Sequence, residues 1–146
     1  MKKELSQGLN VYLGDVAVLY IKWHNLHWNV VGSQFKSIHE YLETLYESMS
    51  DELDNIAELL KINDEQPAAS MKEYLETTTV EELSSQEFTV EKVKEIVVND
   101  MMLIKKSAEN LRKLAEPEDA FDVANLMEDH IENYNKNLWF LKSMKK

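Results

Sequence analysis

The sequence predicts an all-α fold, a four-helix bundle with one long connection, on three observations. Only three glycines and two prolines interrupt 146 residues, and these are the residues that most strongly break helices. Apolar residues recur in steps of three and four along four separate stretches, the spacing that lines one helix face. Two of the three connections between those stretches are short and the middle one is long.

The first stripe runs through Leu5, Leu9, Tyr12, Val16, Leu19, Trp23, Leu26 and Val30. Val31, Gly32, Ser33 and Gln34 interrupt it. The second runs through Phe35, Ile38, Leu42, Leu45, Met49, Leu53, Ile56 and Leu60. A third, with Thr89 as N-cap, takes in Val90, Val93, Val97, Met101, Ile104, Ala108 and Leu111. After the breaker EPED the fourth takes Phe121, Ala124, Met127, Ile131, Tyr134, Leu138 and Leu141. Short links make helices one and two, and three and four, antiparallel neighbours. The connection KINDEQPAASMKEYLETTTVEELSSQEF is too long for a hairpin. It can run back along a helix of about 26 residues, roughly 39 Å, with SMKEYLE a candidate short helix. One long crossover in a four-helix bundle is the ferritin-like arrangement. No internal repeat or second domain is visible, so residues 1–146 read as a single domain.

Bulk chemistry removes several function classes. A formal charge of −11 opposes general affinity for nucleic acid or anionic membrane, since phosphate is neutralised by lysine and arginine. It suits cations. Without cysteine there is no disulfide framework, thiolate metal site or cysteine nucleophile. The start, MKKELSQGLN, lacks an apolar signal core, and the apolar run VAVLYI falls far short of the roughly 20 residues that span a bilayer. The expectation is a soluble, cytoplasmic protein with no membrane partner.

Two of the four histidines, His27 and His39, flank the break at Gly32. On a helical wheel counted from His39, Glu43 falls about 40° round, Asp54 about 60° and Glu58 about 100°. All four border the apolar stripe of the second helix. His27 continues the line Leu13, Ala17, Tyr20, His24 on the first helix, and the Gly32 turn allows it to approach His39. Glu43 and Asp54, however, are eleven residues apart, about 16 Å along the axis, too far for one ion. Either the acidic groups are unrelated, or each is half of a site completed by a second subunit across a twofold axis. Mixed nitrogen and oxygen donors suit iron, zinc or manganese. Singly, each residue has an ordinary explanation: core-edge histidines and acidic helix faces are commonplace. His24 and His130 read as structural or exposed, and Met49 and Met101 as core fillers.

HWNVVGSQFKSIHEYLE followed by DELDNIAE resembles the signature of the Dps family, the miniferritins or DNA-binding proteins from starved cells. The spacing agrees throughout, and NLWFLKS around Trp139 is similar to that family's last helix. The resemblance implies a ferroxidase centre between subunits, with His27, His39 and Glu43 from one chain and Asp54 and Glu58 from its twofold mate. It further implies a hollow dodecamer that oxidises iron(II), preferentially with hydrogen peroxide, stores ferric mineral and protects against oxidative stress. Trp28 and Trp139 match tryptophans near that centre. Zinc or manganese would be substitute ions.

The sequence departs from the family pattern at Glu43, where aspartate is usual; the extra methylene moves the carboxylate by more than about 1 Å, which bears on metal affinity. Lysine-rich tails are reduced to Lys2, Lys3, Lys142, Lys145 and Lys146, so DNA binding is expected to be weak or absent. Glu116, Glu118, Asp119 and Asp122 supply acid where the family's iron-entry pores lie. Two other readings stand beside the ferroxidase store. One is an architectural DNA-compacting protein, and the other a degenerate cage that binds divalent ions without efficient oxidation.

Overall fold

A computed structural model describes all 146 residues. Helix α1 spans Lys3–Asn29 and α2 Phe35–Ile62. A short α3 follows at Met71–Thr77, then α4 at Val90–Ala115 and α5 at Phe121–Met144. A single 3-10 turn, Glu116–Glu118, separates the last two. The predicted bundle, its long crossover and the short helix within it are all present. Thr89 caps α4 as expected, its hydroxyl accepting from the Lys92 N–H. Ser70 does the same for α3 while Glu73 reaches back to the Ala69 N–H, a local pattern that starts a helix even in an exposed segment.

Periodicity did not foresee a two-residue parallel bridge between β1, Val30–Val31, and β2, Phe88–Thr89. Two residues are too few to alternate visibly, and the pairing partner lies some sixty positions away. The bridge ties the end of the crossover to the turn after α1, where Gly32 adopts a positive φ of 133°, a conformation that a side chain rarely permits. The turn that separates His27 from His39 is thus fixed from both sides.

The core is continuous, with Trp23, Leu19, Met49, Ile56, Val97, Met101, Ala108 and Met127 essentially inaccessible. Two charged groups inside it hold elements in register. Asp100 of α4 accepts from Lys22 Nζ at 2.8 Å and Trp23 Nε1 at 3.2 Å, pinning α4 to α1. Asp15 of α1, fully buried, accepts from Thr78 Oγ1, Thr79 N and Thr79 Oγ1 at 2.6–2.8 Å. The crossover lies close here because Gly14 has no Cβ; one would stand 3.1 Å from Thr77 Oγ1 and 3.4 Å from the Tyr74 carbonyl. Removing the acceptor with Asp15→Ala leaves three donors unmatched. The expected loss is about 3 kcal/mol, read as a lower denaturant midpoint, with proteolysis first appearing at residues 78–88. An unchanged midpoint would mean that the crossover is held elsewhere.

Helices α2 and α5 meet through polar contacts. Tyr41 donates to Asn137 at 2.9 Å, Asn133 to Ser48 at 3.2 Å and Asn63 to Asp122 at 2.9 Å. No helix is long and apolar enough to cross a membrane.

Candidate metal centre

The last turn of α1 and the first turns of α2 face each other across the Gly32 turn, and the two histidines there are locked reciprocally. His27 Nδ1 lies 2.7 Å from the carbonyl oxygen of His39, and His39 Nδ1 lies 2.6 Å from the carbonyl oxygen of His27. A carbonyl only accepts, so each Nδ1 carries the proton and donates, and each Nε2 presents a lone pair. The rings stack at 3.7 Å between centroids and 12° between planes, and Phe35 stacks on His39 at 5.0 Å. A backbone-bonded Nδ1–H that fixes both tautomer and ring orientation is the usual support of a metal-binding imidazole.

Glu43 stands exposed one turn beyond His39 and accepts a long hydrogen bond from Tyr46 Oη at 3.4 Å. Asp54 and Glu58 lie exposed further along α2. The Glu58 carboxyl is pushed above its ordinary value, first by a hydrogen bond with Asp54 and then by the Asp54 charge. A cation would relieve that pair. The structure therefore brings His27 to His39 and Asp54 to Glu58, but not the two groups to each other. Within one chain no three histidine or carboxylate side chains converge on a common point: Glu43 is not gathered with His27 and His39, and Asp54 and Glu58 lie too far along α2 to join them. Exposed apolar groups border the site: Trp28 is 66% exposed and Phe35 40%. Ile62, four residues beyond Glu58, is 74% exposed. Trp139 is also exposed but packs on Phe140, and none of its aromatic contacts reaches His27 or His39 within the chain.

The acidic turn between α4 and α5 is partly engaged. Glu116 pairs with Arg112 at 3.3 Å, Glu118 accepts from the Lys2 N–H, and Asp122 accepts from Asn63.

Sequence reading passed over two groups. His24 stacks on Tyr46 at 3.7 Å and stands edge-on to His27 at 6.5 Å; its i, i+3 spacing from His27 was the available signal. The other lies in the bundle centre, where Tyr12 Oη meets Tyr134 Oη at 2.5 Å and His130 Nδ1 at 2.9 Å. Tyr134 Oη in turn bonds Glu52 Oε2 at 2.7 Å. Burial raises the Glu52 carboxyl to about 8, against the Tyr134 hydrogen bond that lowers it. Burial likewise lowers His130 to about 4, and its Nε2 has no partner. Glu52 sits among exposed acids, yet it falls on the alternating three- and four-residue spacing of Leu45, Met49, Ile56 and Leu59; that spacing was the available signal, masked by its acidic side chain.

The profile of the ferritin-like domain matches residues 6–146. General stress protein 20U of Bacillus subtilis (strain 168) is 33% identical over 143 residues, 98% of either chain. DNA protection during starvation protein 2 of Bacillus anthracis is 32% identical, over 98% of this chain and 97% of the other. Among solved structures, antigen TpF1 from Treponema pallidum superposes with a TM-score of 0.95 at 31% identity, covering 98% of this chain and 92% of that one.

Proposed function

Because this chain belongs to the Dps family of ferritin-like proteins, the miniferritins, we propose that it oxidises iron(II), preferentially with hydrogen peroxide. On this reading the centre is shared across a twofold axis: His27, His39 and Glu43 come from one subunit, and Asp54 and Glu58 from its mate. Twofold dimers assemble into a hollow cytoplasmic dodecamer that stores the ferric product and limits oxidative stress. The observation that carries the reading is the reciprocal bonding of His27 and His39, which spends both Nδ1 protons on backbone carbonyls and leaves both Nε2 atoms as ligands.

The donor set fits ferrous substrate. Two neutral imidazoles and three carboxylates offset most of the charge of two iron(II) ions, with no soft sulfur to favour copper(I). Electron bookkeeping explains the pairing with peroxide. Two iron(II) ions supply two electrons to one peroxide, which takes up two protons and leaves as two waters; two iron(III) ions remain. A lone ion supplies one electron and releases a hydroxyl radical, so holding ions in pairs is the protective feature. Zinc or manganese would occupy the same donors, and zinc, having no redox chemistry, would block turnover.

Anaerobic iron(II) loading followed by peroxide, monitored optically, tests this. Wild type should consume about two irons per peroxide, and His39→Ala and Asp54→Ala should each slow oxidation on the order of 100-fold with the oligomer intact. Unchanged rates in both would place the chemistry elsewhere, and a wild type no faster than a protein-free control would favour the degenerate cage. The DNA-compacting alternative is opposed by the charge of −11. A gel shift at about 0.15 M salt should show no tight complex.

A further inference from the structure

We infer that His24 is a third imidazole of this centre, a ligand for an ion adjacent to the one held by His27, sharing that ion with Glu43. The inference rests on the metal-centre reading above and goes beyond its five residues.

His24 has the same preparation as the two histidines already placed. Its Nδ1 lies 2.6 Å from the Tyr20 carbonyl oxygen, so Nδ1 carries the proton and Nε2 the lone pair, and Nε2 makes no hydrogen bond within the chain. That nitrogen is open to solvent on a ring held in place by its neighbours. The ring stacks on Tyr46 at 3.7 Å and 25°, meets Trp28 at 5.2 Å and Tyr20 at 4.6 Å, and faces His27 at 6.5 Å and 81°. Tyr46 connects it to the acidic side of the site: the same phenol packs edge-on to His27 at 5.1 Å and donates to Glu43. His24, His27 and Glu43 thus surround one tyrosine.

Distance decides which ion His24 can serve. An imidazole nitrogen binds at about 2 Å, which places its ring centroid about 3 Å from the metal, so two rings on one ion have centroids no more than about 6 Å apart. The 6.5 Å between His24 and His27 lies at or beyond that limit. Two ions about 3.5–4 Å apart extend it to roughly 10 Å, well above what is observed. A pair of ions, each drawing one or two donors from this chain, also agrees with the absence of any three-residue convergence on one point. It gives the longer Glu43 a role as well, since its carboxylate stands on the Tyr46 side of the site, where His24 lies.

The test counts ions, independently of turnover. The intact oligomer is titrated anaerobically with cobalt(II), followed by visible absorption, and with zinc(II), followed by calorimetry. Wild type should bind two ions per subunit at this centre. His24→Phe keeps the stack on Tyr46 and removes the ligand; His24→Asn is a second variant that keeps polarity without ring nitrogen. Both should lose the weaker ion, with an affinity drop of at least about tenfold, while the tighter ion is unchanged. Two ions in both variants with wild-type affinity would overturn the inference, as would a wild type that binds only one. His39→Ala separates the two readings: if it leaves cobalt binding intact, the centre itself is misplaced, whatever His24 does.

Discussion

Mixed assemblies made from His39→Ala and Asp54→Ala subunits should regain about a quarter of the wild-type oxidation rate, although each variant alone is nearly inactive. The expectation follows from splitting one centre between two chains. In a dimer of the two variants, one site receives both defects and the other receives neither, so one of two sites is intact. Random pairing of equal amounts makes about half of the dimers mixed, hence about a quarter of all sites. A centre wholly within one chain predicts no recovery, because every subunit would carry a defect in its own site. Co-expression with distinguishable tags, selection of mixed oligomers and the peroxide assay give the measurement. Mixed oligomers, verified by mass, that stay as inactive as their parents would end the intersubunit reading, whereas loss in the single variants alone would not discriminate.

Glu52→Gln should change how stability depends on pH more than any surface substitution. Glu52 is raised to about 8 by burial in the folded chain, against an ordinary value of 4.5. Its stabilising effect is therefore complete below about 4.5 and is lost as pH rises through 8, at about 1.4 kcal/mol per pH unit. His130 acts oppositely. Lowered to about 4 from 6.5 by burial, it stabilises fully above 6.5, and that contribution is lost as pH falls through 4. The charged neighbours are Asp51 beside Glu52 and Asp129 beside His130, with Asp15 acting on Tyr12 from α1. The charged residues buried in α4 are Lys94, near Glu91 and the Met144 carbonyl, and Asp100, paired with Lys22.

Between pH 4.5 and 6.5 the two slopes cancel; between 6.5 and 8 Glu52 acts alone and wild type should lose about 2 kcal/mol. Glutamine retains an acceptor for Tyr134 without the charge. The variant should therefore gain stability up to pH 6.5 and stay level to pH 8. Denaturant unfolding at fixed protein concentration across this range compares the two, and parallel profiles would mean that Glu52 does not titrate in the core.

The four helices, their order and the long crossover were legible because each follows from a pattern repeated over many residues. A stripe such as Val90 to Leu111 survives the loss of any one member. The short helix was legible for a different reason: Ser70 and Glu73 form their capping contacts within four residues of sequence. Spacing along α2 was enough to show that Glu43 and Asp54 cannot share an ion, since axial rise is a property of any helix. The β1–β2 bridge was not legible, because it joins residues 30 and 88 through two residues on each side. The burial of Glu52 was legible by position, since it keeps the spacing of Met49 and Ile56 that Asp51 breaks, but not by residue type, because an acid on a helix normally faces water.

What the sequence by itself determined was the backbone architecture and the pairing of two histidines across the Gly32 turn. Only the tertiary structure decided which nitrogen of each histidine is available, and which further residues stand beside them. A tautomer is set by the carbonyl that happens to face Nδ1, and for His27 and His39 that carbonyl belongs to the other helix. His24 joins the group through Tyr46, twenty-two positions away in sequence and 3.7 Å away in space. Periodic apolar residues encode a helix face because burial is additive along it, whereas a site depends on a few non-repeating contacts that form only after the faces have packed.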